Sequence, residues 1–500
     1  MRRLALLACL APSVALAQAA PQIPAIVNMA RSQAQINAAF TQLGANYTNT
    51  FYATNYKVKC DGSTDDTTAL QAFFLKAASN TLLVLPPGTC VFKGALAVPS
   101  GGLNGSAIIG SGPYQTVLKY TGASTNIDLL TIGDGTNGYA NWYVGGFKIT
   151  STTTMTAASG FHVKKLARSM ISNLIWDGQD GTGKLYNGAW FDGVDEVFVQ
   201  GFEARGSNDA IRLNGLVSGY KAGLFLDQGK IASSAVGIRM GGAFGGLATG
   251  QVDVISNGSN LVVDTTLVTE ANREIFLGEL SNFDTATVGD NIKIDDSLTT
   301  AMTVNIASWV ATGPAAGIDI VHCAGCKISI SSPVIWNHTG DGIKNQDPAA
   351  FISLGTSTLI HDNGGYGFNQ VSVPTTGVIT PGAEPMANTS GPWSANAHVE
   401  NLNASNGYRK DPTGLIHEWG TFTVTGAANT ILTTAVTYPL ACPNAQLTST
   451  LHAYPYGFAN GQMQMTVTMS PTSTTGASIS LVASGTVTSA QSVNYEMECY

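Results

Sequence analysis

The chain has 500 residues, of which only 11% are charged, less than half the share of about 25% in an ordinary globular protein. Its 24 Lys and Arg against 32 Asp and Glu give a formal net charge of −8, which argues against the basic surface that nucleic acids require. A hydrophobic content of 44% excludes wholesale disorder.

The N-terminus has the pattern of a secretory signal peptide. Two arginines precede the apolar run 4–11, and residues 15–17 read Ala-Leu-Ala, a small-residue cleavage site. The segment 1–17 is therefore predicted to be removed, which leaves Gln18 at the mature end and places the protein outside the cytoplasm, secreted or periplasmic. No later apolar run has the ~18 residues of a membrane helix, so no membrane span is expected.

The segment 18–50 is predicted to be helical. It is rich in Ala and Gln, and Ile36, Phe40 and Leu43 follow helical spacing. Its weak apolar face suits packing between chains as well as onto its own chain, and packing between chains would form an oligomer.

A sharper pattern begins at Asp61. The run Asp61-Gly-Ser-Thr-Asp-Asp-Thr-Thr-Ala-Leu-Gln predicts a helix start, because Asp and Thr favour helix caps and carboxylates favour the positive helix end. A strand at 82–85 and the turn Pro86-Pro-Gly-Thr follow. Together these residues resemble the opening of the pectate-lyase-like superfamily, whose fold is a right-handed parallel β-helix. The resemblance implies a glycan substrate, and it gives the aspartates at 61, 65 and 66 structural roles.

Short strands with the same sequence pattern recur through the middle of the chain, and each begins with a small residue that an alternating strand follows. They start at Gly160, Gly188, Ala210, Gly237, Gly317, Gly342 and Gly367. Apart from one wide interval, these starts lie 22 to 28 residues apart. Repeats of about 20–50 residues indicate a solenoid, so residues 51–396 are predicted to form the β-helix. The wide interval before Gly317 predicts a small β insertion at 243–312, on one face of the helix. The Pro-, Gly-, Ser- and Thr-rich stretch that follows Gln370 is predicted to be a loop or linker.

Residues 397–500 are predicted to form a separate β-sandwich, because alternating strands such as 462–469 and 478–482 recur there. The run Gly414-Leu-Ile-His-Glu-Trp-Gly-Thr and the closing Tyr495-Glu-Met-Glu-Cys-Tyr resemble the C-terminal domain of some phage tail-fibre proteins. The resemblance implies contact with a host surface and a homotrimer, and it makes a virion tail the alternative location. The predicted fold class is thus all-β.

Six cysteines remain after the predicted cleavage, an even number that suggests disulfides in an exported protein. Cys442 and Cys499 bracket most of the last domain and are expected to pair, and Cys60 and Cys90 form the next expected pair. The motif Cys323-Ala-Gly-Cys326 has no second CxxC to complete a zinc site, so no metal is expected there.

Strand alternation turns one residue of each repeat inward and its neighbour outward. The outward residues form a column that holds the predicted substrate-binding residues His162, Trp190, Arg212, Arg239 and Lys344, together with Asp319 and Asn369. A Trp ring can stack on a sugar, and Arg matches a carboxylate with two parallel hydrogen bonds. An acidic polysaccharide is therefore the expected partner, unless nearby carboxylates neutralise the arginines.

The candidate catalytic carboxylates are Asp192, Asp209 and Glu203. Glycoside hydrolysis needs two carboxylates, whereas the lyases of the resembling superfamily often use Ca²⁺ on Asp oxygens with Arg or Lys as base. Ca²⁺ is thus possible if the protein is a lyase. The Asn-Thr-Asp, Gly-His-Gly and Arg-Ile-Lys set of polygalacturonase-like enzymes is absent, so the resemblance transfers no catalytic residue. An exported polysaccharide lyase or glycosidase, a tailspike-like receptor-binding protein and a surface adhesin all remain open.

Overall fold

A computed structural model describes residues 47–499. The segments it does not describe within that range are 100, 102, 180–183, 216–222, 243–245, 265–272, 298–301, 373–378, 381–384, 395–398, 402–405, 411–415, 427–430, 438–446, 449–464, 474–475 and 484–486. The predicted signal peptide, the N-terminal helix and Cys442 lie outside the described residues.

The described part of the chain contains one α-helix, Thr67–Phe74, and a 3-10 helix, Ala53–Tyr56. The α-helix buries Leu70, Phe73 and Phe74 against the first turns of the strands that follow. In the part of the chain that the structure describes, no helix is long and apolar enough to cross a membrane.

Most strands belong to a parallel β-solenoid of about eleven turns, which confirms the predicted β-helix. One face is a twelve-stranded parallel sheet. Its strands are Leu96–Ala97, Leu130–Ile132, Ser159–Lys164, Leu185–Asp192, Ser207–Gly215, Val236–Gly242, Ser259–Asp264, Ile292–Asp295, Ile318–His322, Ile343–Asn345, Tyr366–Gln370 and Gly391–Trp393.

The remaining strands of the solenoid form a 22-stranded parallel sheet. They are Asn49–Tyr52, Asp61–Asp65, Thr81–Val84, Gly88–Phe92, Ala107–Ile109, Thr116–Tyr120, Tyr139–Ala140, Tyr143–Ser151, Leu166–Asp177, Asp195–Arg205, Leu224–Ala232, Gly246–Thr249, Val252–Ile255, Arg273–Leu277, Asn282–Asp284, Met302–Ile306, Trp309–Gly313, Lys327–Ile330, Ile335–His338, Phe351–Leu354, Ile360–His361 and Ile379–Thr380.

Four long strands of the larger sheet bend at a residue in the left-handed backbone region. These residues are Gly146, Asn173, Gly201 and Gln228, and the strand pairing is interrupted at each of them while the register stays the same on both sides. Because a left-handed residue redirects an extended chain, each strand contributes its two halves to two faces. In later turns the two halves are separate strands.

The core follows the predicted alternation. The inward residues of the twelve-stranded sheet are fully or almost fully buried and lie in register on successive strands: Phe161, Ala189, Ile211, Ile238, Leu261, Ile292, Ile318, Ile343 and Phe368. The stack forms a continuous apolar column along the axis of the solenoid.

The predicted β insertion at 243–312 is wrong. The strands Ser259–Asp264 and Ile292–Asp295 pair in parallel between Val236–Gly242 and Ile318–His322, so these residues form further regular turns. The repeat was hidden because these two strands reach their inward residue through Asn260 and Asn291 instead of the small residue that marks the other turns. The predicted loop after Gln370 likewise adds strand to the solenoid, since Tyr366 and Phe368 pair with Gly391 and Trp393.

The first turns are fixed by local polar contacts and a disulfide. Cys60 and Cys90 are bonded, as predicted. Buried Asp66 accepts the backbone N–H groups of Lys59 and Cys60, each at 2.9 Å, while Asp61 accepts those of Ser63 and Thr64. These contacts fit the structural role that was expected for the aspartates.

Cys323 and Cys326 form a second disulfide, buried beside the core. Their sulfurs are thus bonded to each other. The predicted bond between Cys442 and Cys499 stays a prediction.

The chain changes from parallel to antiparallel pairing after Trp393, and the domain boundary at 397 stays a prediction. One antiparallel sheet contains Val399–Asn401, Asn406–Lys410, Ile416–Gly426, Val487–Cys499 and Leu447–Thr448. Another contains Ile431–Thr437, Gly476–Ala483 and Met465–Ser473. Two such sheets are what a sandwich requires.

Buried amides form a ladder along one edge of the solenoid, with one imidazole among them. Hydrogen bonds of 2.6–2.9 Å link the side chains of Asn257, Asn260, Asn291, His338, Asn363 and Asn388 in sequence. The Asn291 amide donates to Nε2 of His338 and also to the Ala311 carbonyl. His338 therefore carries its proton on Nδ1 and donates to Asn363.

This ladder predicts a loss of stability in acid. Burial lowers the pKa of His338 from 6.5 to about 4. Between these two values the unfolded chain binds a proton that the folded chain does not, so stability is full above pH 6.5 and falls by about 3 kcal/mol towards pH 4. We expect His338→Asn, which extends the amide ladder, to flatten this pH dependence of urea unfolding. The control His361→Asn, at a more exposed site, should retain it, and an equal slope in all three proteins would contradict the assignment.

Candidate functional site

The predicted outward column exists on the twelve-stranded sheet. Within the strand register, His162 faces Trp190, Trp190 faces Arg212, and Arg212 faces Arg239. The column then continues through Val262 and Lys293, which the sequence analysis had placed in an insertion, to Asp319, Lys344 and Asn369. The predicted binding residues thus lie in one line, but the line is longer than expected.

Trp190 does not offer a free ring face. The His162 ring stacks on it, with centroids 4.2 Å apart and planes 8° from parallel. The Arg212 guanidinium lies over the same ring at 5.2 Å, and it comes from the strand on the other side. Both faces are therefore covered, and the expectation that a sugar stacks on Trp190 is wrong. The side chains on the two adjacent strands of the column stack on Trp190 and occupy the faces that a sugar would need. Sequence periodicity places these side chains side by side but does not show that they stack.

His162 lies between two carboxylates. Its Nδ1 is 2.6 Å from Oδ2 of Asp128, and its Nε2 is 3.7 Å from Oδ2 of Asp192. The His162 side chain is only 4% exposed, while that of Asp192 reaches 11%. The Asp128 side chain is 20% exposed, so the ring is hydrogen-bonded to the more exposed of the two carboxylates and lies near the other.

Asp128 is a residue that the sequence analysis missed. It lies in the turn before the strand Leu130–Ile132, three residues ahead of the column position Thr131. Asp209 stands at the same distance ahead of Arg212, and it had been selected. Applying that offset to every strand would have found Asp128. Its carboxylate also accepts the backbone N–H of Ser159 and lies 3.9 Å from the Lys164 ammonium.

Asp209 serves the two arginines of the column. Both of its oxygens accept from Nε of Arg239 at 3.1 Å, and Arg212 lies 3.8 Å away. The Asp209 side chain is 1% exposed, and burial raises its pKa although the facing Arg239 opposes the shift. A carboxylate so enclosed is placed to hold the guanidinium groups in position.

Arg239 is neutralised from both sides. Besides Asp209 it contacts Asp264, which lies 2.7 Å from its Nη1 on the next turn. The alternative that nearby carboxylates neutralise the arginines therefore holds for Arg239. Asp264 belongs to a regular turn of the solenoid and not to an insertion. Arg212 is less engaged: its side chain is 30% exposed, and its nearest carboxylate is at 3.8 Å.

Lys344 is remote from these groups. It lies five strands from Arg212, about 24 Å at the usual strand spacing, and its ammonium is 3.8 Å from Asp319. Lys293, Asp319 and Lys344 alternate in sign on adjacent strands, an arrangement that stabilises a sheet.

Glu203 lies on the 22-stranded sheet, apart from Asp192 and Asp209. Its Oε1 is 3.1 Å from Arg205, which also contacts the fully buried Asp177 at 2.7 Å. It lines a groove of about 590 Å³ with Tyr114, Lys230 and Asp253. The three predicted catalytic carboxylates are thus divided between two faces.

The outward column does not supply a set of Ca²⁺ ligands. Among the described residues, the close groups of three ionisable ligand atoms each consist of one aspartate and two disulfide-bonded cysteines. Ca²⁺ takes about six to eight oxygen ligands, mostly carboxylates and carbonyls. The residues of this face therefore do not fit the ion that lyase chemistry of the resembling superfamily often uses.

The C-terminal domain matches a protein family. Residues 410–497, less than a fifth of the chain, match the C-terminal domain of gp53-like tail fiber proteins. The match confirms the resemblance of this domain to phage tail-fibre proteins. No curated protein matches the chain.

Solved structures of similar fold include two long β-solenoids. The Dettilon tailspike protein is 11% identical, with a TM-score of 0.42 over 90% of this chain and 94% of that chain. The catalytic unit of a GH87 alpha-1,3-glucanase from Streptomyces thermodiastaticus is 14% identical, with a TM-score of 0.47 over 69% of this chain and 70% of that chain. The R1-type pyocin tail fiber is 24% identical over 21% of this chain and 85% of that chain, with a TM-score of 0.15.

Proposed function

We propose that the protein binds a polysaccharide along the outer face of the twelve-stranded sheet and cleaves it beside His162. The observation that carries this proposal is the imidazole held between Asp128 and Asp192, on an outward column that also holds Trp190 and Arg212. Acid–base chemistry needs a proton-transferring group within reach of the substrate and a partner that fixes it. Asp192 and His162 have these two positions.

Asp192 is the proposed catalytic residue, because it follows Trp190 by two on the same strand, whereas the Asp128 carboxylate is already engaged by Nδ1 of His162 and by the backbone N–H of Ser159. His162 and Asp128 are positioning residues that orient it and share its proton. Arg212, over the ring of Trp190, is proposed to hold a carboxylate or hydroxyl group of the glycan. Asp209 lies 3.8 Å from Arg212 and also binds Arg239 on the next strand.

A second candidate is a receptor-binding protein of a phage tail, with or without cleavage. The tail-fibre family match at residues 410–497 favours it. In this case the virion tail is the proposed location and a homotrimer the proposed assembly. Export after signal-peptide cleavage belongs to the first candidate, and a mature N-terminus at Gln18 in the culture medium would support it.

The test is a screen of purified protein on acidic and neutral polysaccharides. Two readouts are followed, the absorbance of new unsaturated ends and the release of reducing ends. Unsaturated ends indicate a lyase, reducing ends alone indicate a hydrolase, and retention without either indicates a receptor-binding protein. A protein that neither retains nor cuts any polymer of the screen would contradict the proposal.

Arg212 carries the proposal that the glycan is acidic. Of the two arginines of the face, Arg212 is the less compensated, because its nearest carboxylate is at 3.8 Å, whereas Arg239 lies 3.1 Å from Asp209 and 2.7 Å from Asp264. We expect Arg212→Ala to weaken binding of a uronic-acid polymer by about 1.5–3 kcal/mol, the range for a hydrogen bond to a charged group. Affinity electrophoresis at low and high salt measures it, with Lys344→Ala as the control that should bind like the parent.

A further inference from the structure

The groove on the 22-stranded sheet is a second concave surface, distinct from the His162 column. Its outer wall is Tyr114, in the short loop between the strands Ala107–Ile109 and Thr116–Tyr120. The loop extends over two neighbouring strands, so that the Tyr114 hydroxyl lies 3.5 Å from Oε2 of Glu203. The Tyr114 side chain is 73% exposed, which leaves an aromatic ring standing in solvent at the rim.

Two glycines, Gly201 and Gly229, line the groove. A Cβ at Gly229 would lie 2.1 Å from the ring of the buried Phe202, so glycine at this position makes room for a core side chain. Gly201 is exposed and has no side chain that could fill the groove.

A row of polar groups crosses the groove at the spacing of the strands. Glu203, Lys230 and Asp253 are register partners on three successive strands, about 4.8 Å apart. Exposed Gln228 and Gln251 lie beside them. Amide, ammonium and carboxylate groups in alternation offer donors and acceptors to a chain of hydroxyl groups.

The charges of this row indicate the chemistry of the ligand. The row holds two carboxylates, Glu203 and Asp253, and one ammonium, Lys230, and Arg205 is shared between Glu203 and the buried Asp177. An anionic glycan would thus meet an excess of negative charge here. We propose that the groove is a second glycan-binding site, that it takes an uncharged, hydroxyl-rich polysaccharide segment, and that Tyr114 stacks on a sugar ring. The site is independent of the proposed cleavage at Asp192.

The test uses native electrophoresis of the full chain in gels that contain dextran, laminarin or galactomannan, with polygalacturonate as the acidic comparison. We expect at least one neutral polymer to retard the parent protein, and high salt to leave this retardation unchanged. Tyr114→Ala should raise the apparent Kd at least about tenfold, as the loss of an aromatic anchor does. Lys230→Ala should weaken retention as well.

Tyr52→Ala provides the matched control, because Tyr52 is also an exposed tyrosine and lies on the first strand, away from the groove. It should be retarded like the parent. The proposal is overturned if no neutral polymer retards the parent, if Tyr114→Ala behaves like Tyr52→Ala, or if Tyr114→Ala changes the oligomeric state instead of retention. Cleavage is not measured in this experiment. A protein that cleaves no polysaccharide can therefore still be retarded by a neutral polymer, and the two proposals can fail separately.

Discussion

Asp192→Asn is expected to lower polysaccharide turnover by about 10²–10⁴-fold while leaving affinity nearly unchanged, the range for removal of a general acid or base. Asparagine keeps the shape of the side chain but carries no proton that it can transfer at neutral pH. Since the Asp192 carboxylate is 3.7 Å from Nε2 of His162 and makes no ion pair with an arginine among the described residues, the fold should tolerate the change. A kcat loss without a comparable change of KM is the expected split.

Two further variants separate the positioning residues from a merely structural role. Asp128→Asn and His162→Gln should each reduce kcat and shift the pH profile of turnover, and combining either with Asp192→Asn should add little, because the three groups act as a unit. Asp362→Asn, an exposed carboxylate near the far end of the solenoid, is the matched control. Full turnover in Asp192→Asn would show that the cluster is not the catalytic centre.

The fold could be predicted because the solenoid repeats a simple pattern. A small residue followed by alternating apolar and polar positions fixes which side chain enters the core, and Phe161, Ile211 and Phe368 all do so. The pattern failed where another residue type fills the first position, at Asn260 and Asn291. There the amides join a buried ladder that the sequence does not reveal, since its bonds connect residues on different turns.

The sequence predicts which side chains of the site face outward, but not the contacts that they make. Alternation placed Trp190, Arg212 and Arg239 outward in one line, and the register agrees. It could not show that the column residues stack on one another, nor that Asp209 and Asp264 reach Arg239 from the neighbouring strands on either side. Asp128 was missed because it lies in a turn, outside the strand pattern, although the offset of Asp209 from Arg212 would have found it.

Arg273→Met is expected to lower the free energy of unfolding by about 3–5 kcal/mol, because it removes one partner of a buried ion pair. The Arg273 guanidinium lies 2.7 Å from Asp296, and the two side chains are only 3% and 1% exposed. Asp296 also lies beside the buried disulfide Cys323–Cys326. Methionine keeps the length of the arginine stem, so the main loss is the cation that compensates a buried carboxylate.

Urea unfolding of single and double variants tests this account. The double variant Arg273→Met with Asp296→Asn should regain much of the lost stability, because replacing both charges removes the desolvation cost along with the attraction. Lys293→Met is the matched control: Lys293 and Asp295 are 3.3 Å apart, yet both are about one-third exposed, so its loss should stay below about 1 kcal/mol. If Arg273→Met and Lys293→Met lower the free energy of unfolding by the same amount, burial does not determine how much the Arg273–Asp296 pair contributes to stability. If the double variant is less stable than Arg273→Met alone, Asp296 is held by interactions that do not depend on its charge.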